Sequence, residues 1–292
     1  MFEGSFVPIV TPFKEGKVDF EGLARLIEFH LQQGSDGLVP CGTTGESATL
    51  NHEEHREVVN FCIEKMAGRG KVIAGAGSNS TKEALGLIKF AKESGADAAL
   101  VITPYYNKPT QDGLYEHYKY LAERVDLPII LYNVPSRTGV NILPRTVARL
   151  AEIENIVGIK EASANMAQVS EIIKLCGDRI EVICGEDTNL LSILAVGGVG
   201  AISASANVAP RDFANLVREF HDGNLSEARR LHLKLFPLCQ AMFIETNPAP
   251  AKAALTMMGL ISDELRLPLV SVCQESLDKI RSVLMEGGWL DD

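Results

Sequence analysis

The chain has 292 residues, 46% of them hydrophobic, with 38 Asp and Glu against 28 Lys and Arg and a formal net charge of -10. That length admits two ordinary domains or one large α/β barrel with an addition. No block of Lys and Arg runs through it, which argues against a nucleic-acid groove, and no apolar run reaches the ~18 residues of a membrane span.

Eight short apolar runs are predicted as strands: 6–10, 37–40, 72–74, 98–102, 128–132, 156–160, 181–184 and 200–203. Amphipathic stretches lie between them. In the first, Phe20, Leu23, Ala24, Ile27 and Leu31 recur at helical spacing. Asn51 followed by Glu54 has the polarity of a capping box. Ser80 and Thr81 precede another helix, with Glu83 in its first turn. The alternation predicts an α/β fold, a (β/α)8 TIM barrel over residues 1–224. An open doubly wound sheet would carry a glycine loop after its first strand. Here that strand runs into Thr11-Pro12-Phe13. Beyond residue 224 the strand signals stop, and helices are expected over 226–243, 250–258 and 275–285. This reads as a C-terminal α-helical extension, a second domain over 225–292.

The start, Met1-Phe2-Glu3-Gly4, lacks the basic region of a signal peptide, so the expected compartment is the cytoplasm. The six cysteines (Cys41, Cys62, Cys176, Cys184, Cys239 and Cys273) form no Cys-x-x-Cys, so neither a zinc nor a thioredoxin motif is expected. Several sit in apolar runs and read as small buried side chains.

Residues just after each barrel strand converge on one mouth, where active sites sit. The most informative of them is Lys160, which ends the run Ile156-Val157-Gly158-Ile159 and precedes Glu161. Desolvation disfavours an ammonium at such a place, and a neutral amine attacks carbonyl carbon to form a Schiff base. A lone strand-end lysine more often snorkels to solvent, so its companions matter. Gly42-Thr43-Thr44-Gly45 offers backbone N–H groups and two hydroxyls as a carboxylate cradle. Tyr132 ends the fifth strand and can shuttle protons beside a nucleophilic lysine. Arg137, in a Pro-Ser-Arg-Thr-Gly turn, has the planar fork that binds a carboxylate twice over. Gly197-Gly198-Val199-Gly200 can cradle a phosphate but has no basic partner nearby, so packing is the preferred reading. One lysine, one tyrosine and two carboxylate anchors point to a keto acid joined to another acid through an enamine.

Three motifs, Gly42-Thr43-Thr44-Gly45-Glu46, Tyr132-Asn133-Val134-Pro135-Ser136-Arg137-Thr138-Gly139 and Gly158-Ile159-Lys160-Glu161, resemble the signatures of the class I pyruvate-dependent aldolase (N-acetylneuraminate lyase) family. The likeness extends through the C-terminal helices and Asn247-Pro248-Ala249-Pro250. It is greatest to the members that condense pyruvate with L-aspartate 4-semialdehyde in lysine and diaminopimelate synthesis. The lyases of N-acetylneuraminate or of 2-keto-3-deoxy sugar acids are the alternative, and a non-catalytic binding barrel is the third reading. The resemblance implies that Lys160 forms the Schiff base with pyruvate and that Thr43 and Thr44 hold its carboxylate. Tyr132, Thr43 and Tyr106 would relay protons, with Tyr106 delivered by a neighbouring subunit. Arg137 would bind the semialdehyde carboxylate, and the carbonyls of Gly185 and Ile202 would line the site. A homotetramer built as a dimer of dimers is implied, with no metal or organic cofactor and neither nucleic acid nor membrane as partner. An allosteric L-lysine site is implied at Ser47, Ala48, His52, His55, Asn79, Glu83 and Tyr105.

Overall fold

The computed structural model describes residues 2–290. Its strands are β1 (Gly4–Val7), the antiparallel pair β2 (Phe13–Lys14) and β3 (Lys17–Val18), β4 (Gly37–Leu38), β5 (Lys71–Gly75), β6 (Ala98–Ile102), β7 (Ile129–Asn133), β8 (Ile156–Glu161), β9 (Glu181–Cys184) and β10 (Gly200–Ile202). Eight of them close into a barrel in the order β1-β10-β9-β8-β7-β6-β5-β4, with helices between successive strands. This is the (β/α)8 fold that the alternation of apolar runs and helical stretches predicts. Among the described residues no helix is long and apolar enough to cross a membrane.

The strand ends differ from expectation for reasons written in the chain. The first strand stops at Val7, because Pro8 has no N–H to donate to a ladder. Asn207 takes over there: its Nδ2 donates to the Pro8 carbonyl (3.0 Å) and its Oδ1 accepts from the Val10 N–H (3.1 Å). Strand β4 likewise ends before Pro40. The β2–β3 hairpin is absent from the sequence reading. Its loop is Glu15-Gly16, both at positive φ (54° and 78°), the primed turn that a right-twisted hairpin favours.

Chain segments Gly4–Lys71 and Ser203 onward form one compact unit, and Val72–Ile202 form the body of another. The first holds β1–β4 with α1 (Phe20–Gln32) and α2 (His52–Met66). Asp19 caps α1 by accepting from Gly22 N–H, and Asn51 with Glu54 makes the expected capping box on α2. The buried face of α1 is Gly22, Leu23, Leu26, Ile27 and His30. It differs from the expected stripe because Phe20, Ala24 and Leu31 are only half-buried.

The second unit holds β6–β10 and α3 (Thr81–Ser94), α4 (Gln111–Ala122), α5 (Pro135–Thr138), α6 (Pro144–Leu150), α7 (Met166–Cys176) and α8 (Leu190–Ala195). Ser80 caps α3 and Gly95 ends it at φ 89°. The strand interiors, such as Ala99, Val101, Ile130, Leu131, Ile159 and Ile183, are fully buried. Strands covered on both faces read as continuous apolar runs. Gly198 serves packing as expected, since a Cβ there would lie 2.5 Å from Ile193 Cγ2.

Back in the first unit, the C-terminal helices are α9 (Pro210–His221), α10 (Leu225–Ala241), α11 (Ala249–Met257) and α12 (Gln274–Gly287). Each of the last three lies within about two residues of its expected place at both ends. Helix α10 packs on α9 and α12, and α11 on α12.

His30 is fully buried on α1, and neither ring nitrogen has a hydrogen-bond partner. Burial drives its pKa down to about 3 from 6.5. Below the unfolded value the unfolded chain takes up a proton that the folded chain refuses, so stability falls as pH drops from 6.5 toward 3. His30→Leu is expected to remove about 3 kcal/mol of the stability lost between pH 7 and pH 4. Denaturant unfolding at a series of pH values measures it, and parallel curves for the two proteins would place the acid sensitivity elsewhere.

Candidate active site

The reactive geometry of the second unit begins with strand pairing. Ile129 of β7 faces Ile156 of β8, but Ile130 faces Gly158, so the ladder skips Val157. From that irregularity onward Tyr132 stands opposite Lys160 and Asn133 opposite Glu161. Without the skip, Tyr132 would pair with Ile159. Lys160 is buried, 6% exposed, and its Nζ lies 4.4 Å from the centroid of the Tyr132 ring. Desolvation strengthens such a cation–π contact.

Strand β9 forms the other flank. Lys160 pairs with Ile183, and Gly185 follows two residues later. A Cβ on Gly185 would come within 2.9 Å of Lys160 Cε and Cγ, so only glycine leaves room for the lysine chain. The Cys184 thiol is buried and donates to the Glu186 carbonyl (3.0 Å), and burial raises its pKa far above that of a free thiol. Ile202 ends β10 fully buried.

Side chains alternate along a strand, so Glu161 points away from the face that carries Lys160. Its carboxylate is buried and accepts from Asn133 Nδ2 (3.0 Å), Gln168 Nε2 (3.2 Å) and Ser163 N–H (2.7 Å). Asn141 joins the cluster, accepting from Asn133 Nδ2 (2.8 Å) and donating to Gln168 Oε1 (2.8 Å). The network ties β7 and β8 to α7 directly behind the Tyr132–Lys160 pair. The sequence reading named Asn133 and Glu161 only as motif letters and missed Asn141 and Gln168. An amide has no hydropathic signature that marks it as buried.

Arg137 sits exposed on the single-turn helix α5, where a turn was expected, and Gly139 closes that helix at φ 70°. Tyr106 is 89% exposed at φ 72°, a conformation rare for a non-glycine residue. Tyr105 beside it is 39% exposed. Asn107 Nδ2 holds the Asn79 carbonyl (2.9 Å), and Glu83 accepts from the Ser78 hydroxyl.

In the first unit the loop after β4 carries the other expected residues. Thr44 is buried and Thr43 half-buried. Thr44 Oγ1 accepts from Asn247 Nδ2 (3.0 Å), and Thr11 Oγ1 donates to the Gly45 carbonyl (2.7 Å). Cys41 lies buried with its thiol toward the His55 carbonyl, and burial raises its pKa well above the usual value. Ser47 is half-buried, Ala48 and His52 are exposed, and His55 is buried on α2. Sequence reasoning also missed Lys252, whose ammonium pairs with Glu46 in a fully buried contact (2.5 Å). A lone lysine in the apolar run of α11 was the available signal.

Among the described residues no group of three or more His, Cys, Asp or Glu side chains is placed to hold a metal ion.

A closed parallel barrel with a buried lysine against a tyrosine at a strand's carboxyl end defines a (β/α)8-barrel enzyme. The chain belongs to the dihydrodipicolinate synthetase family, whose profile matches residues 1–286. It is 56% identical over 288 residues to the 4-hydroxy-tetrahydrodipicolinate synthase of Thermodesulfovibrio yellowstonii and 57% identical over 288 residues to that of Syntrophus aciditrophicus, covering 99% of both chains in each case. Two solved structures superpose closely. One is the chloride-inhibited dihydrodipicolinate synthase of Acinetobacter baumannii complexed with pyruvate (TM-score 0.98, 44% identity, 99% and 100% covered). The other is the DHDPS of Cyanidioschyzon merolae with lysine bound (TM-score 0.96, 38% identity, 99% of each chain covered).

Glu186 follows Gly185 half-buried, and burial first, then the neighbouring Asp187 carboxylate, raise its pKa above 4.5. The folded protein therefore keeps a proton that the unfolded chain has lost, and stability declines as pH rises from 4.5 through the raised value. Glu186→Gln is expected to unfold at a higher temperature than the wild type, by a margin that widens from about pH 4 to about pH 7. Thermal scans at matched pH test this, and a margin independent of pH would contradict it.

Proposed function

We propose that this chain is a 4-hydroxy-tetrahydrodipicolinate synthase, condensing pyruvate with L-aspartate 4-semialdehyde in the synthesis of diaminopimelate and lysine. The observation that carries the reading is the Lys160 amine, buried at the end of β8 over the Tyr132 ring. Full-length identity of 56–57% to synthases of that name supports it.

The free amine of Lys160 adds to C2 of pyruvate, and loss of water gives the imine. The imine draws electrons from the methyl group, which gives up a proton and becomes an enamine carbon. That carbon attacks the semialdehyde carbonyl, whose oxygen takes a proton and becomes a hydroxyl. The amino group of the semialdehyde then adds to C2 and displaces Lys160, closing the ring. Thr43 and Thr44 hold the pyruvate carboxylate, with Gly185 and Ile202 lining the site through their carbonyls. Tyr132, Thr43 and Tyr106 move the protons, and Arg137 receives the carboxylate of the second substrate. The chemistry calls on no metal or organic cofactor, because the protonated imine is itself the electron sink.

The working assembly is a homotetramer, a dimer of tight dimers, in which Tyr106 crosses to a neighbouring subunit. Its 89% exposure in a strained backbone supports this, since a ring held so far into water gains by docking. Residues 1–224 serve as the catalytic domain and 225–292 as a helical one. L-Lysine acts as an effector through Ser47, Ala48, His52, His55, Asn79, Glu83 and Tyr105, a reading supported by the lysine-bound relative. The enzyme works in the cytoplasm.

A coupled assay with pyruvate and the semialdehyde, run with and without L-lysine, tests substrates and regulation together. Turnover of N-acetylneuraminate but not of the semialdehyde would reverse the choice within the family. Borohydride with pyruvate is expected to inactivate irreversibly, with the added mass on Lys160 in peptide mapping. An adduct on another amine would remove Lys160 from its role.

Tyr106→Phe is expected to lower kcat more than it raises the KM for pyruvate, as a relay acts in the transition state. Unchanged turnover would exclude Tyr106 from the relay. Arg137→Ala is expected to weaken use of the semialdehyde roughly 10- to 100-fold, the usual worth of a hydrogen bond to a charged group. An effect confined to pyruvate would exchange the two carboxylate sites.

A further inference from the structure

The loop 41–46 is held from behind by charge. Cys41 and Glu46, at its two ends, both adopt left-handed backbone conformations (φ 55° and 53°) although neither is glycine. Such residues persist only where the surroundings over-determine them. Around Glu46 those surroundings come from the segment 247–266. Lys252 on α11 and Glu46 are both fully buried and meet at 2.5 Å. Lys252 Nζ also donates to the Glu264 carbonyl (2.8 Å) and lies 4.2 Å from the Phe13 ring centroid. The second Glu46 oxygen accepts from the Arg266 backbone N–H (3.2 Å). The Arg266 guanidinium lies 4.4 Å from the Phe13 ring centroid, grips Glu54 with two bonds (2.7 and 2.6 Å) and donates to the Thr49 carbonyl (3.0 Å). Asn247, five residues before Lys252, donates to Thr44 Oγ1. Thr44 thereby accepts through its oxygen, which directs its hydroxyl proton onward as a donor.

A buried ion pair is a poor source of stability, because desolvating two charges offsets most of their attraction. Its attested use is to fix one geometry among several. We infer that Glu46, Lys252 and Asn247 are positioning residues that set the Gly42–Gly45 loop and the Thr44 hydroxyl as a carboxylate cradle, so that the C-terminal helix α11 determines pyruvate affinity without touching pyruvate. This rests on the functional reading above.

The test is the pyruvate concentration that gives half-maximal borohydride-trapped adduct, read by intact mass in the full chain. Glu46→Gln/Lys252→Met removes both charges while keeping the shapes. It is expected to raise that concentration about tenfold while trapping of pyruvamide, which lacks the carboxylate, changes less than twofold. Asn247→Ala is expected to shift pyruvate in the same direction. Asn247→Ala decides the matter should the double variant fail to fold.

An unchanged pyruvate midpoint in the folded double variant, or in Asn247→Ala when the double variant is unfolded, would overturn the inference. Equal weakening for pyruvate and pyruvamide would also overturn it, marking a general loss of structure. Absence of any adduct in the wild type would instead sink the Schiff-base reading itself.

Discussion

The register between β7 and β8 is the constraint on which the candidate site depends. Side chains alternate along a strand, so a slip of one residue exchanges its two faces. The skip at Val157 sets Tyr132 against Lys160 and Asn133 against Glu161. One pair occupies the face with the buried amine, and the other lies in an amide and carboxylate network on the opposite face. Both faces carry polar groups that must be satisfied when buried, so neither tolerates the other's residues. The network behind therefore enforces the register in front. Gly185 then sets the clearance on the β9 side, where any side chain would collide with the lysine.

The two units treat buried charge differently. Glu161 is surrounded by neutral donors, two amides and a backbone N–H. Glu46 instead meets an ammonium in full burial. Amide networks of the first kind rigidify when every member is paired. An ion pair of the second kind penalises loss of either partner much more heavily than loss of both. The two arrangements hold the ends of strands by different means, and each lies behind residues that the family resemblance marks.

Much of this was legible in the chain itself. Eight apolar runs in alternation with capped helices give the barrel, since buried parallel strands need no polar face. Lys160 was legible because a cation at the end of such a run stands out. Strand ends were less so: prolines at 8 and 40 stop the ladders early, and the run of hydrophobicity continues past them. The Glu15-Gly16 hairpin escaped because only glycine advertises a positive φ, and here a glutamate shares it. Asn141, Gln168, Asn247 and Lys252 escaped for a deeper reason. Their importance lies in partners 7 to 206 residues away, as in Gln168 with Glu161 or Lys252 with Glu46, and hydropathy carries no record of pairing.

That separation has a consequence for how the protein matures. The loop 41–46 emerges from the ribosome about 200 residues before the segment that clamps it, from Asn247 to Arg266. Closing so long a loop is slow and entropically expensive, and domains take shape on the ribosome from the amino terminus onward. A nascent chain carrying all eight strands still has an unset loop with an unpaired carboxylate at its edge. The contacts that hold this loop thus form last, as α11 docks.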